Sequence, residues 1–491
     1  MENKPVSIFN TQLLPRSLIG TISKSKALTF MFGAFVFLQF TVLGLANHAG
    51  EGYLTTGQRE HVYYALQLFV ILGYLLHALF DRYCTGNRIR NITAYCAFGM
   101  FFTSVALMIG AERASLLSII VSMAAALCLG AIGGAVHYRM SLECAAGAEI
   151  AHFMGLGSAG AVVLQYLLQI RWGVTPLLPV FMLAAFLLLV SLLTGGYPAE
   201  DIEGNRKMLQ TAPGRLVFSV MIAVIFILSA CFYNEYIHHL QIQSDYESYN
   251  VYSWPRLMLV PGYLLYALIG DRKNGRYVPI TTLCVMLIML LNVTLVGNPE
   301  LYWLNMCLFY FAISAFTSYY LLTFWRLAPG TGRPALWAPF GRILDSAMVL
   351  FTGAIRLSSL PAPVVLGADI VGVALVILMM AINGDFNLNE TGSTETLGVT
   401  DQSPTGSEVI LPLRSPEEAL LRMREDYQLT PREADVLREL VLTEDKQTVI
   451  SERLSIQVKT LQDYVTRLYR KTGVMTRAGL TDLYHETRNR N

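Results

Sequence analysis

Between Val458 and Lys471 the chain reads VKTLQDYVTRLYRK, and its residue types divide by position. Val458, Leu461, Val465 and Leu468 recur at spacings of three and four, the period of one helix face. The opposite face carries Lys459, Gln462, Asp463, Thr466, Arg467 and Arg470. In a major groove Gln462 can pair with adenine, Asp463 can accept from cytosine, and Thr466 can bond either kind of base edge. Lys459, Thr460, Arg467, Arg470 and Lys471 would hold phosphates, contacts that fix register without choosing sequence. From Arg453 to Arg477 there are six basic residues and one acid, the local bias of a helix laid against double-stranded DNA.

A second set of ionisable residues lies in apolar surroundings: Glu149, Arg342 with Asp345 one helical turn on, and Arg356 with Asp369. A charge inside an apolar segment is costly, so it is either functional or held in a pair. The spacing here favours structural pairs. The seven cysteines all fall in the apolar region, with no CxxC and none near the basic helix, so they read as packing residues. Neither a disulfide framework nor a metal site is predicted, and no cofactor or catalytic group is expected; the chain does not read as an enzyme.

The elements that position the basic helix begin at SPEEALLRMREDY, where Ser415 can cap, Pro416 suits the first turn and Glu418 completes a capping box. From Leu429 the pattern gives four short helices, the first capped by Thr430. This stretch resembles the LuxR-type helix-turn-helix domain over residues 429–485. Its opening is Leu429, Thr430, Arg432, Glu433, Val436 and Leu437; Ile450, Ser451 and Leu454 mark the next helix; Gln457, Lys459, Thr460 and Leu461 open the recognition helix; Arg467, Lys471, Gly473 and Val474 close it. The turn LTEDKQ replaces the family's Gly-containing one. The resemblance implies a DNA-binding domain over 415–491, able to form a homodimer through its final helix, where Leu480, Leu483 and Tyr484 make a small apolar stripe.

The rest of the chain is of another kind. Of 491 residues, 54% are hydrophobic and 14% are charged, against roughly 25% charged in soluble domains. The segment from Ser415 carries 13 Lys or Arg and 13 Asp or Glu, so the apolar excess belongs to what precedes it. Twelve apolar blocks are long enough to cross a lipid bilayer as helices, near 27–47, 61–80, 92–111, 115–137, 149–170, 176–195, 215–235, 255–270, 278–297, 301–324, 338–358 and 363–383. The first is expected to be a retained helix after a segment at 1–26, and the eighth is short. Lys and Arg concentrate at the start and in even-numbered loops (Arg82, Arg88, Arg90; Arg206, Lys207; Arg272, Lys273, Arg276; Arg326, Arg333), which places both termini on the cytoplasmic side; the LuxR-type resemblance implies that the membrane is a bacterial inner membrane. Residues 384–414 are polar and rich in Gly, Ser and Thr, a flexible linker.

The apolar region is written twice. GYLLHALFDRYCTGNR from Gly73 and GYLLYALIGDRKNGR from Gly262 end the second and eighth blocks, and HYRM and FWRL set Arg139 and Arg326 at matching ends of the fourth and tenth. Two six-helix halves, about 27–195 and 215–383, follow from this. In this arrangement, and in Asp271, Arg272, Gly275 and Arg276, residues 27–383 resemble the major facilitator superfamily, with His77 and Ala267 replacing a family glycine. The resemblance implies that Asp81 and Asp271 brace the halves, with Arg139 and Arg326 as partners; a carboxylate is favoured at a helix N-terminus in any case. It also implies a cavity between helices one, four, seven and ten, for which Gln39, Asn47, Asn234, Glu235, Trp303, Asn305 and Tyr310 are candidate ligand residues, with Ser314, Tyr319 and Tyr320. Such a lining suits a small, flat, weakly polar ligand. Gly130, Gly133, Gly134, Gly155, Gly157 and Gly160 are expected at close helix contacts.

The predicted fold is all-α: a polytopic 12-helix membrane bundle of two repeats and a C-terminal LuxR-type four-helix domain. The predicted function is a one-component, membrane-embedded transcription regulator that senses a small molecule through the bundle and binds DNA through the tail. Two readings stay open beside it. One is a transporter with a regulatory tail; the other makes the tail a protein-binding module.

Overall fold

In the computed structural model, residues 24–48, 54–84, 87–110, 116–145, 148–169, 177–194, 213–243, 254–295, 299–355, 360–382, 416–443, 447–472, 474 and 477–489 are described. They are helical throughout, with no strand among the described residues, and the chain divides into two compact units at 397/398.

The first unit contains α1 (Lys24–His48), α2 (Thr56–Tyr83), α3 (Asn87–Gly110), α4 (Leu116–Ala145), α5 (Ile150–Gln169) and α6 (Leu177–Thr194). These are followed by α7 (Pro213–Gln243), α8 (Leu259–Ile269), α9 (Tyr277–Leu295), α10 (Tyr302–Leu327), α11 (Phe340–Ala354) and α12 (Ala362–Ile382). Among the described residues six helices are long and apolar enough to cross a membrane, and shorter apolar helices lie between them. Leu117, Phe102, Leu291, Val371 and Ile382 stand exposed on outward faces, as lipid-facing positions require. The chain is a multi-pass membrane protein.

Local sequence explains where α8 and α11 depart from full spans. Trp254–Met258 forms a 3₁₀ turn ahead of α8, and Pro261 sits in the first turn of α8, where a missing N–H breaks no helical bond. A one-turn helix, Pro334–Trp337, precedes α11, which runs over fewer residues than the predicted 338–358. Arg356 lies outside the described residues.

The two repeated glycines mark two equivalent crossings. A Cβ on Gly73 would overlap the Leu127 carbonyl, where α2 crosses α4; one on Gly262 would overlap the Ser314 hydroxyl, where α8 crosses α10. Only a residue without a side chain admits so close an approach. Gly160 differs from the other glycines expected at helix contacts: it is exposed on the outer face of α5 with nothing within 4 Å of a Cβ position. Between the segments expected to be the two repeats, α5 packs on α8, α2 on α11, and α4 on α10.

The second unit contains α13 (Pro416–Asp426), α14 (Pro431–Leu442), α15 (Gln447–Arg453), α16 (Val458–Thr472) and α17 (Arg477–Asn489). Its own core comprises Ala419, Met423, Val436, Leu437, Leu440, Ile450, Leu461, Val465, Leu468, Leu480 and Tyr484. Thr430 and Glu433 close a reciprocal capping box on α14. At the other end of that helix, Arg477 donates from Nε to the Leu440 carbonyl at 2.8 Å and from Nη2 to that of Thr443, so a cation satisfies carbonyls the helix leaves open. Ser455 turns the chain between α15 and α16 at φ +52°, a conformation that costs a non-glycine residue roughly 1–2 kcal/mol.

Candidate functional site

Two groups of side chains, one in each unit, are arranged for chemistry. In the membrane unit, α11 brings Arg342 and Asp345 to the boundary between the halves. Arg342 Nη1 donates to Asp345 Oδ2 at 2.9 Å and to the Tyr320 hydroxyl at 2.6 Å. The same hydroxyl donates to Asp345 Oδ2 at 3.2 Å, closing a triangle between α10 and α11. The two tyrosines of the repeated phrase, Tyr74 on α2 and Tyr263 on α8, are both buried. The Tyr74 ring lies 5.9 Å from that of His137, and Tyr263 packs with Ala159, Val162 and Leu259. One turn along α11, Ser346 Oγ donates to Gln67 Oε1 of α2 at 2.9 Å.

Next to this centre stands His137 of α4. Trp325 of α10 donates its indole N–H to His137 Nδ1 at 3.1 Å, and Ser141 Oγ donates to the Trp325 carbonyl at 3.0 Å. The imidazole is enclosed by Phe35, Tyr74 and Phe32, with ring centroids 5.5, 5.9 and 6.2 Å away.

The predicted cavity residues scatter around this centre. Gln39 is buried on α1; Asn305 is buried, and its carbonyl accepts from Asn292 Nδ2 at 3.2 Å. Tyr310 packs beside Phe309, in the small cluster that also holds Tyr263. Trp303 is exposed and lies 5.9 Å from Trp254 at the start of α10. The side chains of Asn47, Asn234 and Glu235 lie outside the described residues. The aromatic run of α10 is packed inward: Phe316 stacks on Phe226 at 5.5 Å, with Tyr319 edge-on to the same ring at 4.9 Å. Sequence reasoning singled out Arg342 and Asp345 but missed Tyr74, Tyr263 and His137, although the repeat GYLL and the paired HYR and FWR carried the signal.

Of the proposed braces, Asp271 accepts from the backbone N–H groups of Ala151 and His152 at 3.1 and 2.9 Å, at the N-terminus of α5. Arg326 lies 3.5 Å from the same carboxylate and donates to the Gly270 carbonyl at 2.5 Å. Gly275, at φ +82°, leaves room for that guanidinium, which any Cβ there would strike. In the first half, Arg139 pairs with Glu143 at 2.8 Å, and Asp81 is half-buried at the end of α2.

In the second unit, α16 buries Leu461, Val465 and Leu468 and exposes Lys459, Thr460, Gln462, Asp463, Thr466, Arg467 and Arg470. Val458, expected on the apolar face, is exposed at the helix start, ahead of the core. Thr466 donates back to the Gln462 carbonyl at 2.8 Å, and the Arg467 guanidinium lies 5.9 Å from the Tyr464 ring. Lys471 has a different place from the one expected. Its ammonium donates to Glu433 Oε2 at 2.7 Å and to the Gln428 carbonyl at 3.0 Å, because the capping carboxylate of α14 is otherwise a buried charge. Of the apolar stripe expected to pair two copies, Leu480 and Tyr484 are buried in this unit's own core, and Leu483, partly buried, packs against it.

No family model matches the chain, and no curated protein matches it. Among solved structures, the crystal structure of a human organic anion transporter, MFSD10 (TETRAN), is similar at 13% identity, with a TM-score of 0.48, over 74% of this chain and 100% of that one. That of an auto-inhibited POT family peptide transporter is similar at 12% identity and a TM-score of 0.43, over 75% and 99%.

Proposed function

We propose that this protein is a one-component, membrane-embedded transcription regulator: a 12-helix unit of two six-helix halves in a bacterial inner membrane takes up a small-molecule signal, and the C-terminal unit binds double-stranded DNA. The observation that carries the reading is α16. A short helix turns three apolar residues into its core and presents Lys459, Thr460, Arg467 and Arg470 around Gln462, Asp463 and Thr466. That combination supplies phosphate contacts at the edges and base-reading groups at the middle. The test is selection of bound sequences from random DNA by the 416–491 unit. Gln462→Ala is expected to relax preference at one position, and Arg470→Ala to weaken all sequences together and flatten the salt dependence. Equal, sequence-independent losses from both would overturn this division of roles, and no retention of DNA at all would overturn the reading.

Transport is the second reading, and the charged triangle of Arg342, Asp345 and Tyr320 between the halves favours it, because ionisable groups within a span commonly mark a substrate path. Uptake of labelled solute into vesicles holding the full chain distinguishes the two.

A further inference from the structure

One residue of α16 belongs neither to its core nor to its polar face. Among the described residues of the C-terminal unit, Leu421, Val449 and Val458 are the large apolar side chains that stand exposed, and of these Val458 alone lies on α16. The spacing of apolar residues predicts it in the core, yet it is 37% exposed.

The local backbone explains the difference. Ser455 turns at φ +52°, its N–H donating to the Glu452 carbonyl at 3.1 Å, and the Ile456 N–H donates to the Ser451 carbonyl at 2.9 Å. This turn sets Ile456 against the core and leaves Val458, at the first position of the helix, outside it.

Position then decides what Val458 can meet. It stands one helical turn before Gln462 and two before Thr466, both exposed, at the end of the helix whose residues come nearest to base edges in a major groove. A valine side chain neither donates nor accepts, so covering a base edge made of donors and acceptors would strand those groups without partners. The apolar group that a major groove offers is the C5 methyl of thymine. Val458 is β-branched and stiff at χ1 in a helix, so its methyl groups are held in place before DNA arrives.

We infer that Val458 is a specificity-determining residue that reads the C5 methyl of a thymine, beside the base read by Gln462. The inference rests on the DNA-binding reading of the C-terminal unit and deepens it, naming one base and the group recognised on it.

The test uses the full chain in lipid nanodiscs to select bound duplexes from random DNA. Each thymine of the selected sequence is then replaced in turn by deoxyuridine, which removes the C5 methyl and keeps every hydrogen-bonding group. At one position deoxyuridine is expected to weaken wild-type binding about fourfold, the effect of burying roughly one methyl-sized group. Val458→Ala is expected to lose most of the distinction between the two bases at that position. Gln462→Ala is expected to keep it and to relax preference at a neighbouring one. Because Val458 lies outside the core, the alanine variant is expected to keep the thermal midpoint of the wild-type chain, which separates lost reading from lost folding. Selected sequences that no deoxyuridine replacement weakens, or that contain no thymine, would overturn the inference and leave DNA binding standing. A Val458→Ala chain with undiminished sensitivity to the methyl would do the same. Failure to retain any duplex would overturn the DNA-binding reading itself and this inference with it.

Discussion

Glu433 does two jobs from one carboxylate. It accepts the Thr430 N–H at 2.8 Å to close the helix cap, and it holds Lys471 at 2.7 Å. Burial alone would raise its pKa; the bonds from Lys471 and Thr430 outweigh burial and hold it below the ordinary glutamate value. A carboxyl depressed in the folded state stabilises the fold above its unfolded pKa, near 4.3, and that contribution is lost as pH falls through the lower folded value. The urea midpoint of the 416–491 unit is therefore expected to fall as the solution is acidified below about pH 4.5. Lys471→Met is expected to cost about 1–3 kcal/mol at neutral pH and to flatten that acid dependence. A variant that kept its stability and lost only DNA affinity would return Lys471 to the phosphate set. At this scale the sequence was legible where one helix decides the answer: the spacing of Leu461, Val465 and Leu468 gave the outward residues of α16. It was not legible where two segments meet. Nothing local to Lys471 announces a carboxylate 38 positions earlier, and nothing in the apolar run around His137 announces the indole 188 positions later that bonds it.

Helices α2 and α8 are written with the same glycine, but the two crossings are not equally rigid. At Gly73 the obstruction is backbone, the Leu127 carbonyl and the Ala131 nitrogen; at Gly262 the first obstruction is the Ser314 hydroxyl, which can rotate. Gly73→Ala is thus expected to force the helices apart at a cost of about 1–3 kcal/mol, while Gly262→Ala costs less. Adding Ser314→Ala should restore much of the Gly262→Ala loss. Thermal midpoints of the full chain in detergent would check this, and equal losses without rescue would contradict the assignment. The repeat sets Gly73 and Gly262 at matching places in two otherwise diverged segments, but the glycines expected at helix contacts are others, and these crossings come from the packing. The partners stayed hidden, since which helix lies across Gly73 depends on the packing of α4. The start of α11 falls two residues inside the expected span of 338–358, after Pro339, and the separate turn Pro334–Trp337 lies ahead of that span.

Taken as a whole, the molecule joins a unit with an apolar exterior to one with a complete core of its own. The C-terminal unit caps α14 at both ends and buries Ala419 and Met423 of α13 with Leu480 and Tyr484 of α17, so its first and last helices seal one another. Its fold therefore calls for neither a second copy nor the membrane unit. The consequence for regulation is specific. Residues 384–414 lie outside the described residues; their polar, Gly-, Ser- and Thr-rich sequence predicts a flexible tether, and such a tether transmits no torque. It sets only an effective concentration, which falls roughly as the three-halves power of tether length. Doubling the linker with Gly and Ser residues is accordingly expected to change the ligand response by about threefold at most, far less than a mechanical coupling would lose. The released 416–491 unit is expected to unfold cooperatively and to bind the same DNA sequences as the full chain without any ligand. Melting curves and sequence selection on both forms would check these outcomes. If the released unit kept a strict dependence on ligand, the sensor would lie within the tail, and the membrane unit would have to be doing something else; if a doubled linker abolished the response, control would run through the tether itself and the proposed division of labour would fail.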